Sequence, residues 1–153
     1  MGRAYLEGMQ GDNLTSNQNV AACLKHYVGY GLPLSGQDRT PAWIDERHML
    51  EYYLPPFEES VRAGAVSVMI NSAEVNGIPG HANYHLLTEI LKQTYQFEGF
   101  TVSDWVNICK YQSHFLNNNF YFCSKILNVL IIEIIQLKHL KKLFDKQLWL
   151  ELI

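Results

Sequence analysis

Gly99-Phe100-Thr101-Val102-Ser103-Asp104-Trp105 is an apolar run that ends on a carboxylate followed by an indole. A short β-run that delivers a single Asp at its C-terminal end is one way in which a parallel sheet presents a reacting group. Two upstream segments, Ala22-Cys23-Leu24-Lys25-His26-Tyr27 and Val66-Ser67-Val68-Met69-Ile70-Asn71-Ser72, have the same form, with apolar residues closing on polar side chains. Helical segments separate these runs, so the pattern predicts parallel strands whose ends meet on one rim. That rim is where the chemistry is expected.

The intervening residues support this alternation. Ala4 to Gln10 reads as the end of a helix closed by Gly11-Asp12-Asn13, and a polar loop, Thr15 to Asn19, leads into the first apolar run at Val20 to Leu24. Gly29, Gly31, Pro33 and Gly36 make Tyr30 to Thr40 too rich in breakers for a regular element. Thr40 before Pro41 has the chemistry of a helix cap and first turn, and Ile44, Met49, Leu50, Tyr53 and Leu54 follow at helical spacing. Pro55-Pro56 interrupts that helix, and a second one restarts at Pro56 and stops at Gly64. After the run Ala65 to Ile70, Asn76-Gly77-Ile78-Pro79-Gly80 reads as a turn, and Asn83 caps a helix with Leu86, Leu87, Ile90, Leu91 and Tyr95 on one apolar stripe. The organisation is α/β. Periodicity alone does not separate an open doubly wound sheet from a barrel segment.

Composition narrows the classes. The 153 residues are 48% hydrophobic and 18% charged with a formal net charge of −3, values ordinary for a globular domain. There is no Lys/Arg cluster to neutralise phosphates, so nucleic acid is not an expected partner. The three cysteines, Cys23, Cys109 and Cys123, form no CxxC pair and read as packed or free thiols. Met1 to Tyr5 opens without the apolar core of a signal peptide, and Asn13-Leu14-Thr15 is a glycosylation sequon whose meaning depends on a secretory route. The compartment stays open.

Leu116 to Ile153 differs in character. It contains no Gly, Pro, Ala, Arg, Thr or Met and is dominated by Ile, Leu, Lys, Asn and Phe. The expected division is therefore 1–115 as a partial domain and 116–153 as a low-complexity tail, read as the product of a read-through intron or a frameshift. An amphipathic helix is the alternative, because Leu137, Leu140, Leu143 and Phe144 share a face. The apolar stretch Ile126 to Ile135 is short for a membrane span and carries Asn128 and Glu133, so no span is expected.

From Val20 to about Gln112 the chain resembles the N-terminal barrel domain of glycoside hydrolase family 3. The carrying segments are Lys25-His26-Tyr27-Val28-Gly29-Tyr30-Gly31, Ser35-Gly36-Gln37-Asp38-Arg39-Thr40, Asp45-Glu46-Arg47, Tyr53-Leu54-Pro55-Pro56-Phe57, Val75-Asn76-Gly77-Ile78-Pro79, His81-Ala82-Asn83 and Val102-Ser103-Asp104-Trp105. Each is weak alone; together, in order and at matching spacings, they are specific. The resemblance implies the C-terminal part of a (β/α)8 barrel and a retaining, exo-acting β-glucosidase-type hydrolase needing no cofactor or metal. Its partner would be a β-linked glucoside or oligosaccharide. Such enzymes are often secreted, lysosomal or periplasmic.

By the same resemblance Asp104 is the catalytic nucleophile, Lys25 and His26 hydrogen-bond the sugar in the −1 subsite, and Trp105 offers an apolar face to the sugar ring. A retaining enzyme needs one carboxylate beneath the anomeric carbon and a second roughly 5–5.5 Å away to protonate the leaving oxygen. Lys25 beside the first would favour its ionised form. The N-acetylhexosaminidase branch continues its Lys-His with Pro-Gly-His-Gly; Val28-Gly29-Tyr30-Gly31 favours the β-glucosidase branch. Many members have a Tyr near the end of the second strand, where this chain has Asn71-Ser72. A full barrel takes about 250 residues. The family's preceding sugar-binding Asp and Arg and the acid/base glutamate of its following domain are not matched, so the chain alone is expected to be inactive.

Competing readings attach to single residues. His81 and His85 have the HxxxH spacing of a helical zinc pair, but Asn83 starts the helix, so His81 lies before the cap and a metal is not expected. Arg39 can pair with Asp38 or contact substrate. Glu46, Glu58, Glu59 and Asp45 read as solvated helix residues, and Tyr52, Tyr53 and Phe57 as core. Pro33 occupies the first glycine position of a nucleophile elbow, which removes Ser35 as a serine-hydrolase candidate. A non-catalytic sugar-binding remnant is the alternative function. A nucleotide-binding α/β protein is a third, but no GxGxxG or GxxxxGK[ST] loop supports it.

Overall fold

The computed structural model describes residues 1–104. Trp105 and the tail 116–153 lie outside the described residues. Helix α1 spans Gly2–Gln10, strand β1 Cys23–Tyr27, helix α2 Glu46–His48 with a wider i→i+5 turn over Met49–Tyr53, and helix α3 Pro55–Arg62. Strand β2 (Ser67–Ile70) is followed by the short strands β3 (Glu74–Val75) and β4 (Ile78–Pro79) and a 3-10 turn, Gly80–Ala82. A wide-wound helix α4 (His85–Thr94) then leads to β5 (Phe100–Val102).

The three-stranded sheet has the order β1-β2-β5, and both pairings are parallel. Leu24, Val68 and Thr101 lie in one row across it, and the β1 register shifts between Leu24 and Tyr27. Helices connect the strands, as the alternation of patterns predicts. Strand β1 sits later than the apolar run Val20 to Leu24 suggests: Val20 is exposed, and Lys25 to Tyr27 complete the strand.

The sequence places a helix start at Thr40-Pro41, and the structure moves it. Asp45 is the cap, its side chain accepting the His48 N–H at 3.1 Å. Residues 42–44 are extended because the β3–β4 hairpin claims their backbone. The Ala42 N–H donates to Glu74 O at 2.9 Å, the Asn76 N–H to Ala42 O at 2.9 Å, and the Asn76 side chain bonds both the N–H and C=O of Ile44. Thr40 instead donates its hydroxyl to Gln37 O within the loop. Ile44 is therefore buried without being helical, and Leu50 points to solvent. The turn at Asn76-Gly77 works because both residues take positive φ, 53° and 77°, the geometry a two-residue hairpin needs.

Pro55 and Pro56 mark the start of a second helix, as the sequence predicts, with Pro55 its first residue. They occupy the first turn of α3, where amides lack intrahelical partners anyway, and Leu54 O accepts the N–H groups of Phe57 and Glu58 at 3.0 Å. Asn83 caps α4 as its position predicts, with Oδ1 accepting the Leu86 N–H at 3.1 Å. The stripe Leu86, Leu87, Ile90 and Leu91 packs against Val68, Ile70, Leu54 and Phe97, with Tyr95 partly buried at its end. Tyr53 and Phe57 flank this core, whereas Tyr52 is exposed. Tyr27 is buried edge-on to Phe57 at 5.1 Å and donates its hydroxyl to Leu86 O at 2.9 Å. Gln10 ties α1 to the sheet: its amide donates to Gly64 O at 2.9 Å and accepts the Ala22 N–H at 3.1 Å. No helix among the described residues is long and apolar enough to cross a membrane.

Leu91 is fully buried in this core. Leu91→Ala is expected to destabilise the fold by about 2–5 kcal/mol, while Leu50→Ala changes stability by less than about 0.5 kcal/mol. Urea unfolding followed by circular dichroism checks both.

Candidate active site

The C-terminal ends of the parallel strands deliver the site. Residues His26 on β1 and Asp104 just beyond β5 flank the end of β2. Adjacent strands are spaced by about 4.8 Å, so the two side chains lean toward each other across the end of the middle strand. His26 Nε2 lies 4.0 Å from Asp104 Oδ2, and both side chains are largely buried, 19% and 16% exposed. Lys25 precedes His26 on the strand and is exposed. Cis peptide bonds join Lys25 to His26 and Tyr27 to Val28.

Asn71, at the end of β2, is fully buried and holds this end of the sheet together. Its N–H donates to Tyr27 O at 2.7 Å, its side-chain amide donates to Val28 O at 2.8 Å, and its Oδ1 accepts the Ala73 N–H at 2.9 Å. The position where the family resemblance leads one to look for a Tyr is thus occupied by residues that include a structural tie.

Arg39 is in ion-pair contact with Asp104, its Nη2 lying 3.7 Å from Oδ2. Its Nε is also 3.8 Å from Asp38 Oδ2. The sequence leaves Arg39 between a local ion pair and a site contact; the structure has it at both carboxylates. Burial lowers the pKa of His26, and Lys25 and Arg39 push the same way while Asp104 opposes them. His26 is therefore neutral at pH 7, able to donate from one ring nitrogen and accept at the other.

His81 enters from the 3-10 turn, not from a helical zinc pair. It is buried, and Nε2 lies 3.0 Å from Ser103 Oγ, whose hydroxyl donates to Asp104 O at 2.8 Å. His85 instead pairs with Glu89 at 2.5 Å, and no group of metal-binding side chains occurs among the described residues. In the sequence, His81 stands out by its HxxxH spacing and by the segment His81-Ala82-Asn83, and neither signals the contact with Ser103. Its partner Ser103 is distant along the chain, and no local pattern signals the pair.

Comparison with known proteins identifies the family. The model of the glycosyl hydrolase family 3 N terminal domain matches residues 1–121, and the chain belongs to that family. Among curated relatives, the lysosomal beta glucosidase of Dictyostelium discoideum is 50% identical over 116 residues, covering 72% of this chain and 14% of that protein. A beta-xylosidase of Formosa agariphila is 39% identical over 123 residues, covering 78% of this chain and 17% of that one. The beta-glucosidase from Listeria innocua in complex with glucose superposes with a TM-score of 0.76 at 28% identity, covering 92% of this chain and 21% of that structure. The chain thus spans a small part of the length of the relatives it matches.

Burial lowers the pKa of His81 to about 4, with Asp104 opposing the shift. A histidine that is neutral when folded but protonates near 6.5 when unfolded stabilises the fold fully above pH 6.5. That contribution is lost as pH falls from 6.5 toward 4, by up to roughly 3 kcal/mol at the low end. His81→Gln is expected to flatten this part of the stability-against-pH curve, measured by urea unfolding at successive pH values.

Proposed function

We propose that this chain carries the nucleophile side of a retaining β-glucosidase and forms part of a (β/α)8 barrel in the whole protein. The observation that carries the reading is the meeting of Asp104 with His26 and Arg39 at the C-terminal ends of parallel strands. Catalytic groups of barrel enzymes come from that end of their strands. The parallel β1-β2-β5 order is the arrangement such a barrel segment would have.

In this reading the Asp104 carboxylate attacks the anomeric carbon from below. A bond forms between that carbon and a carboxylate oxygen as the bond to the leaving oxygen breaks, and the leaving oxygen takes a proton from a second carboxylic acid outside the described residues. Water, deprotonated by the same group, then attacks the anomeric carbon, releasing Asp104 and the sugar with net retention. Neutral His26 and the exposed Lys25 would bind sugar hydroxyls, and Trp105 would face the ring. Glucose is favoured as the sugar by the glucosidase relatives, and a Listeria innocua beta-glucosidase with 31% identity is described in complex with laminaribiose.

The test separates nucleophile from proton donor. In 2,4-dinitrophenyl 2-deoxy-2-fluoro-β-glucoside the leaving group departs without acid assistance, while the fluorine slows hydrolysis of the glycosyl-enzyme. Peptide mass spectrometry is expected to find the fluoroglucosyl label on Asp104, and Asp104→Asn to take none. The corresponding xyloside is expected to label more slowly. A label on any other residue, or none, overturns the reading.

A further inference from the structure

We propose that Arg39 is a positioning residue for Asp104, brought to it by a loop that Tyr30 and Asp38 hold in place. The inference rests on the reading of Asp104 as the nucleophile. It begins with the backbone. Arg39 sits at φ 59°, in the left-handed region, although it is not glycine. A side chain there is disfavoured and persists where surrounding contacts over-determine it. Gly36, three residues earlier in the same loop, takes φ 74° without a Cβ to hinder it. The loop therefore has a glycine available for turning, and Arg39 nevertheless adopts the strained conformation.

The contacts that hold Arg39 there form a closed circuit. The Tyr30 hydroxyl donates to Asp38 Oδ1 at 2.5 Å, and the same carboxylate's Oδ2 faces Arg39 Nε at 3.8 Å. Arg39 Nη2 reaches Asp104 at 3.7 Å, and Asp104 lies 4.0 Å from His26. The circuit ends where it began, because the His26 ring packs on the Tyr30 ring with centroids 4.4 Å apart and planes tilted by 34°. The hydrogen bond to Asp38 is also the largest cause of a raised pKa at the Tyr30 hydroxyl, which keeps its proton and remains the donor.

A simple surface ion pair between Arg39 and Asp38 would need neither the strained backbone nor the reach to a carboxylate that is mostly out of water. Asp104 follows a three-residue strand, and its side chain has rotational freedom that an attack on carbon does not tolerate. The planar guanidinium restrains that carboxylate from one side while the neutral His26 ring borders it from another. Lysine would supply the charge without the fork.

The labelling reaction reads this directly, because its saturating rate reports attack by Asp104 and its half-saturation concentration reports sugar binding. Arg39→Ala is expected to slow the saturating rate by about tenfold to a hundredfold, with half-saturation changed by no more than about twofold. Arg39→Lys should recover part of the rate, and added guanidinium ion should partly restore Arg39→Ala. Tyr30→Phe, which cuts the tether to Asp38, should slow labelling by a smaller factor. A purely structural role would depress binding together with rate and would not respond to guanidinium. If Asp104 is labelled equally fast in the parent chain and in Arg39→Ala, this inference falls and the nucleophile reading stands. If the parent chain takes no label on Asp104, the nucleophile reading falls and this inference with it.

Discussion

The double pairing of β2 is the constraint from which the site follows. Its backbone is bonded on one edge to β1 and on the other to β5, both in parallel, so the two flanking strands end on the same side and about two strand spacings apart. That separation is too wide for backbones to touch and suits two facing side chains. A slip of one residue in either pairing would turn His26 or Asp104 to the opposite face of the sheet. The buried Asn71 guards against this. It bonds the backbone at Tyr27, Val28 and Ala73, locking β1 to the chain leaving β2 at the level where the site begins.

Electrostatics complete what the strands begin. A carboxylate with its side chain 16% exposed has lost most of its water and needs compensation from fixed partners. Strand geometry supplies His26, which burial keeps neutral, so it contributes hydrogen bonding and shape more than charge. The positive charge comes from Arg39 on a loop, outside the regular elements. Beneath them, the Ser103 hydroxyl holds the Asp104 carbonyl and lies against His81 Nε2. The side chain of Asp104 and its backbone are thus positioned by different parts of the chain.

Helix α4 shows a local pattern and tertiary packing in agreement. Its cap at Asn83 and its stripe of leucines and isoleucine are readable from spacing alone, because amide capping and burial of one helix face are short-range requirements. The region 40–45 shows the opposite case. Thr40-Pro41 carries the chemistry of a helix start, yet the hairpin at Asn76-Gly77 offers the backbone of Ala42 and Ile44 four hydrogen bonds, two of them from the Asn76 side chain, and the chain stays extended until Asp45. Local propensity lost to partners more distant in sequence, as it does when a competing pairing satisfies the backbone fully.

The amino-acid sequence by itself determined the α/β alternation, the parallel order of the runs, the helix at Asn83, the turn at Asn76-Gly77 and the motif that belongs to glycosyl hydrolase family 3. These are features of neighbouring residues, where periodicity, capping and turn chemistry act over a few positions. Only the tertiary structure decided that Arg39 faces Asp104, that His81 meets Ser103, and that residues 42–44 are extended. Each of those outcomes depends on groups from separate segments meeting in space, and a linear pattern contains no term for the distance between them.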